Sequence, residues 1–420
     1  MPRPSDTSTA NGAKKLRSYS ASEIARNIQS FETWSAFQGC EEVSFHDLPP
    51  NIEADVTKVF DVTGQFPEEW LDKSSKVYKG MRRCMASDFL DFLDRAYKAS
   101  PKLFSPAVLA AESKELLCDI QTVFSAWNRL QKMRQSSRKW SEADYVANVY
   151  NVFRSPAVRE GDYRAQCAVA LCQPLPSFEV TPQAVRILNA KTALPDASIF
   201  VPARLIRDLW HSAKSPFKIL KSHKSVVKTG NVGGESSFRY QSTPCAKLSD
   251  TPSFEFASSY WEDKKPVHHL LEDAYRQNRM ATTSAVRQLH SLHVQAPIFG
   301  LVWAQGTRIH SAAYPGPPPS ARTRRTSGIF HEWNLDNPGD MLQVFLLIRN
   351  IDEWTVGPFV ERIIKGVDHL LKDVKDGHQF MPWKRKGDLG RLVPTAAQEN
   401  SNAATSTGKR KPARRRHRTS

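Results

Sequence analysis

The sequence predicts a mixed α/β (α+β) fold, a mixed sheet core flanked by helices, and three observations predict it. Segments 194–201, 254–264 and 298–304 are rich in Phe, Ile, Val and Tyr, residues that suit a pleated surface. Around them run longer stretches whose apolar residues recur every three or four positions, the helical period. Apolar residues make up 40% and charged residues 24% of the 420, a normal globular balance with enough chain for one large domain or two ordinary ones.

Residues 1–20 are rich in Ser, Thr and Lys, a composition that predicts disorder. Residues 21–135 predict a helical region, most plainly at Ala86–Tyr97 (Phe89, Leu90, Phe92, Leu93) and Ala107–Met133 (Leu116, Leu117, Ile120, Val123, Trp127, Leu130). Ser141-Glu142-Ala143-Asp144 is a helix start, with Ser141 as N-cap and Asp144 in the capping-box position. That helix runs through Tyr145, Val149, Tyr150 and Phe153, and Pro156 follows it. A strand is expected near Ala165–Leu171 or Ser177–Val180, then the strand that carries Asp196. Residues 203–252 look like an insertion rich in Lys, Ser and Gly. After the Glu262 strand, a helix is expected over Val267–Val294, then a strand at Ile298–Ala304 and its return at Thr307–Ala313. A loop at Pro315–Arg325 and a last strand or turn near Ile329–Trp333 lead to helices at Pro338–Ile348 and Val360–Val374. From Arg385 to the end the composition predicts a disordered basic tail.

The chemistry gathers on two strands. Pro195-Asp196 opens one, and Glu262-Asp263-Lys264 closes the other. Side chains alternate along a strand, so Glu262 and Lys264 share a face with Phe254, Phe256, Ser258 and Tyr260. Carboxylates from two neighbouring strands can meet one Mg²⁺ (or Mn²⁺), a hard cation that takes oxygen ligands and keeps several waters. Such an ion lowers the pKa of bound water and neutralises charge developing on a phosphate. An ammonium beside it orients the attacking water or stabilises the anionic transition state. Asp196 and Glu262 are the candidate metal ligands, and Lys264 joins them as a candidate catalytic residue for phosphodiester hydrolysis.

These motifs lie in the order helix, strand, strand with Asp, strand with Glu-x-Lys, helix, strand over roughly 140–350. In that order they resemble the PD-(D/E)XK nuclease superfamily, and more narrowly the nuclease-like domains found in many fungal proteins. The resemblance implies a restriction-endonuclease-like core at 140–380 and Mg²⁺-dependent hydrolysis of DNA or RNA. It also implies an acid on the first core helix, for which Glu142 is the match. A Gln on the helix after the third strand is a further implied contributor; Gln277 matches best by position, and Gln288 shares its face. The 66 residues between Asp196 and Glu262 depart from the family's pattern and require 203–252 to leave the sheet and re-enter it. The same fold without activity, as a module for nucleic-acid binding or protein interaction, is the alternative.

Plainer roles stand beside these. Asp196 after a proline can begin a strand or cap a turn. Glu262-Asp263-Lys264 can be a solvated strand end, and Glu142 lies in a helix's first turn, where the dipole favours an acid. Glu255 is a second acid, of opposite parity. An all-helical adaptor would need helix at 194–201, 254–264 and 298–304, against their composition. His268, His269, His290 and His293 lack partners at zinc-finger spacing and are a weak zinc signal. A Walker loop and a G-x-S-x-G elbow are both missing.

Lys and Arg exceed Asp and Glu by 16, which favours anionic partners, nucleic acid above all. The last twelve residues hold Lys409, Arg410, Lys411, Arg414, Arg415, Arg416 and Arg418, dense enough for a nucleic-acid-binding tail or a nuclear localisation signal. An intracellular, nuclear protein is therefore expected. Lys384-Arg385-Lys386 and Arg322, Arg324 and Arg325 add weaker patches. Six cysteines without a C-x-x-C spacing fit a reducing compartment. No run approaches the length of a membrane helix, and the start has no apolar signal core.

Overall fold

In the computed structural model the described residues are 17–43, 48–175, 180–224, 226, 236–264, 271–304, 308–314, 324–326, 331–385 and 387–389. Before the sheet come helices α1 (Ala21–Arg26), α2 (Ile28–Phe37), α3 (Pro50–Phe60), α4 (Lys76–Cys84), α5 (Ser87–Ala99) and α6 (Lys114–Gln135). Helix α5 buries Phe89, Phe92 and Leu93 of the stripe read from the sequence, together with Ala96, while Leu90 is half-buried. The helix expected from Ala107 starts only at Lys114. Ser105 Oγ accepts the N–H of Ala107, and Glu112 and Ser113 close short turns onto Leu109 and Ala110, so 107–113 bends and leaves Leu109 exposed.

Helices α7 (Glu142–Tyr145) and α8 (Asn151–Ala157) are joined by a π turn at Val146–Tyr150. Pro156 lies inside the last turn of α8 instead of after it. Then follow α9 (Pro182–Leu188), α10 (Pro216–Ser222), α11 (Ser236–Gln241), α12 (Leu271–Ser291), α13 (Pro338–Val356) and α14 (Pro358–Lys375).

The main sheet has six strands: β1 (Asp162–Ala165), β2 (Ala197–Phe200), β3 (Ala257–Asp263), β4 (Ile298–Ala304), β5 (Arg308–Tyr314) and β6 (His331–Asn334). They lie side by side in chain order, β1 and β6 at the edges. Every neighbouring pair is antiparallel except β3 and β4, which are parallel and joined by the crossover helix α12. The fold is thus mixed α/β, a mixed sheet flanked by helices. Strands β2 and β3 pair directly, Ala197 opposite Trp261 and Ile199 opposite Ser259, so the long segment between them does leave and re-enter the sheet. The register slips at Ile199/Phe200, making Ser258 an extra residue on β3 whose Oγ reaches Ile199 O and Thr355 on α13. The expected strand near Ala165–Leu171 divides into β1 and the short Val169–Ala170; residues 177–179 of the other expected strand lie outside the described residues.

One continuous apolar core runs from Ala21 to Leu389, so the N-terminal helices and the sheet region share it. Helices α5 and α6 pack on α13, and α1 packs on α12. The 203–252 segment, expected as an insertion rich in Lys, Ser and Gly, also enters this core. Phe217, Leu220 and Phe238 are buried, and the rings of Phe217, Phe238 and Phe254 meet at 5.5–5.8 Å. Its Gly230–Gly234 stretch lies outside the described residues.

Residues at the inner edge of both segments expected to be disordered are placed in the fold. Tyr19 N–H donates to Arg186 O, and Ser20 caps α1 with a full capping box to Glu23. At the other end, Arg385 donates to Leu188 O at 2.5 Å and Leu389 N–H to Asn189 Oδ1 at 2.8 Å. Lys384 is buried, its Nζ donating to Thr243 O at 2.7 Å, and burial lowers its pKa to about 7. Lys384 and Arg385 are therefore structural and do not form a phosphate-binding patch. Among the described residues no helix is long and apolar enough to cross a membrane.

Candidate functional site

The site is built where the start of β2, the end of β3 and the α7–α8 helix converge. Ser141 caps α7 as expected: its hydroxyl accepts from Asp144 N–H, and Asp144 accepts from Ser141 N–H at 2.8 Å. This sets Glu142 in the first turn, half-buried and close enough for its charge to act on Asp196. The π turn follows at once. Such a turn fits an extra residue into a helix and is frequent near functional sites. It delivers Tyr150, Phe153 and Arg154 to the sheet, where the rings of Tyr150 and Phe153 meet Trp303 at 5.0 and 5.7 Å.

Asp196 lies at the entrance to β2 and reaches around Glu262. Its N–H donates to Trp261 O at 3.0 Å, and its Oδ2 accepts the N–H of Asp263 at 2.8 Å, the residues on either side of Glu262. Burial, then the charge of Asp263, pushes the Asp196 carboxyl up to about 6. Glu262 is fully buried at the end of β3. Lys264 Nζ donates to its Oε2 at 3.4 Å, as the shared face predicts, while its Oε1 has no hydrogen-bond partner. Burial holds Glu262 well above the ordinary carboxylate range, against the pull of Lys264. The structure therefore brings Asp196, Glu262, Lys264 and Glu142 to one place. Among the described residues, Asp196, Glu262 and Glu142 do not close into three ligand atoms within 4.8 Å of one another.

Asp263, the middle residue of the motif, faces the other way. Arg154 holds it in a two-pronged pair at 2.7 and 2.8 Å, both side chains almost fully buried. The guanidinium also donates to Asn151 Oδ1 and lies 5.1–5.7 Å from the rings of Trp303, Trp261 and Tyr150. The sequence reading missed Arg154. The signal was there: Val149, Tyr150, Phe153 and Ala157 form the buried stripe, and Arg154 lies on it, where a charge needs a partner.

Neither glutamine reaches the carboxylates in the way its position suggested. Gln288 is buried and donates to Glu255 O at 2.9 Å, and Asn278 instead supports the strand, donating to Tyr260 O at 2.8 Å. Gln277 is half-buried. Glu255 is engaged by Arg164 at 2.9 Å and by Thr243, away from the site. The basic tail residues Lys409, Arg410, Lys411, Arg414, Arg415, Arg416 and Arg418 lie outside the described residues, as do Arg322, Lys386, His268 and His269.

No family model matches the chain, and neither a curated protein nor a solved structure matches it. The site's geometry is therefore the ground for reading its function.

Proposed function

We propose that the chain is a divalent-metal-dependent nuclease of the PD-(D/E)XK kind, hydrolysing phosphodiester bonds in DNA or RNA. The observation that carries the reading is Glu262. It is a fully buried carboxylate with one oxygen unpartnered and the other beside Lys264, and Asp196 reaches around it from the neighbouring strand. A buried carboxylate oxygen without a donor suits a cation or a proton.

The donor set fits Mg²⁺ or Mn²⁺, since both inner ligands are carboxylate oxygens and water completes the shell. When bound, the ion supplies a water of lowered pKa and positive charge against the phosphate. Asp196 and Glu262 would hold it, and Glu142 adds negative charge close by. Lys264 keeps a fixed ammonium beside Glu262, able to orient water or stabilise the anionic transition state. Asp263, held by Arg154, fixes the end of β3 so that Glu262 and Lys264 keep their direction. The tail from Lys409 to Arg418 grips phosphates without reading sequence and directs the protein to the nucleus.

Full-length protein incubated with single-stranded DNA, duplex DNA and RNA tests the reading. Cleavage with Mg²⁺ or Mn²⁺ that stops with chelator and with Asp196→Ala, while binding persists, is expected. Metal-dependent cleavage unchanged in that variant rejects it. The complete burial of Glu262 favours a second reading, a silent nuclease fold that binds nucleic acid only; wild-type binding without any metal-dependent cleavage selects it.

A further inference from the structure

We propose that His293, His369 and Asp373 form a separate transition-metal site of the zinc type, on the opposite chemistry from the carboxylate pair and independent of the nuclease reading. The three offer ligand atoms that all lie within 4.8 Å of one another. His293 Nδ1 is 3.2 Å from His369 Nδ1 and 3.4 Å from Asp373 Oδ2. Ligands about 2.0–2.1 Å from a tetrahedral Zn²⁺ are about 3.3 Å from one another, close to both distances.

The backbone around this cluster is shaped to present it. Helix α12 ends in a paired turn, His293 N–H to His290 O at 3.0 Å and Val294 N–H to Leu289 O at 2.8 Å. This puts His293 at φ 59°, the left-handed position that glycine most often fills. A non-glycine residue held there points to a use for its side chain. Facing it, Gly366 lets α14 approach closely, since a Cβ there would come within 2.7 Å of His293 O. His369 and Asp373 lie three and seven residues on from Gly366, on the same face of α14. Two crowded imidazoles with a carboxylate beside them are thus delivered by two elements and not by one flexible loop.

Imidazole nitrogens with one carboxylate select Zn²⁺ and its neighbours over Mg²⁺, and three protein ligands leave a fourth position for water. Bound metal would staple the end of the crossover helix α12 to α14 just before β4. The sequence signal was partial: His293 belonged to a histidine group with no recognisable spacing, because its partners come from α14.

Chelator-treated full-length protein is titrated with Zn²⁺ by calorimetry and with Co²⁺ by visible absorption. One Zn²⁺ equivalent and a tetrahedral Co²⁺ spectrum are expected. His369→Ala, at an exposed position, should lose that equivalent or weaken it by about tenfold or more with unchanged circular dichroism. Asp373→Asn should weaken it in the same direction. Asp196→Asn should retain it, which separates this site from the carboxylate pair, and excess Mg²⁺ should not displace it. Identical Zn²⁺ binding in wild type, His369→Ala and Asp373→Asn overturns the proposal, as does ready displacement by Mg²⁺.

Discussion

Asp196 makes the site sensitive to pH. Its carboxyl rises from 3.8 to about 6 on folding, through burial first and the charge of Asp263 second. Between those values the folded chain keeps a proton that the unfolded chain has released. Stability contributed by this group therefore falls as pH rises through 4–6 and is level above, a total on the order of 2–3 kcal/mol. Asp196→Asn should flatten that fall and be the more stable protein at pH 7, checked by urea unfolding at pH 4.5 and 7; parallel pH profiles would contradict it. Metal binding needs both carboxyls ionised, so affinity should climb with pH through about 6 as Asp196 ionises and keep climbing above it, because Glu262 holds its proton to higher pH. At this scale alternation along β3 was enough to place Glu262 with Lys264 and to turn Asp263 away. It could not say what Asp263 meets, because Arg154 arrives from more than a hundred residues earlier in the chain.

The Arg154–Asp263 pair ties α8 to β3, and its worth is an element-scale matter. Removing one partner leaves a buried, unpaired charge, which costs about 3–5 kcal/mol, whereas replacing both by apolar residues of similar volume is far milder. Arg154→Met should therefore be strongly destabilising, and Arg154→Met with Asp263→Leu should recover most of the loss in a double-mutant cycle. A single-variant effect below about 1 kcal/mol would show that the pair is not holding the helix to the sheet. Elements with strong local signals were legible: the capping box at Ser141, the strands at 197–200, 257–263 and 298–304, and the crossover helix. The bend at 107–113 was not, because a hydroxyl-capped turn interrupted an apolar pattern that still had helical spacing. Nor was the π turn, which changes which residues face the sheet without changing the composition.

Over the whole molecule, one core joins what the sequence divides into a helical region and a sheet region. Composition marks the change near residue 140, but it carries no information about α5 and α6 closing over α13. A fragment of residues 136–420 should therefore fail to fold cooperatively, seen as a broad thermal transition and aggregation on gel filtration; a sharp, monomeric transition would show two independent domains. The Lys- and Ser-rich insertion shows the same limit, since its few phenylalanines decide its place in the core and its lysines decide its composition. The shared core also fixes the geometry on which the functional reading rests, because α8, β2 and β3 are held from both sides. Mn²⁺ binding followed by electron paramagnetic resonance at pH 7.5, in full-length wild type and Glu262→Gln, tests that reading most directly. Wild type should take up Mn²⁺ in competition with Mg²⁺, and Glu262→Gln, folded and of equal volume, should lose that uptake; equal binding by the two proteins would contradict a metal centre at the ends of β2 and β3.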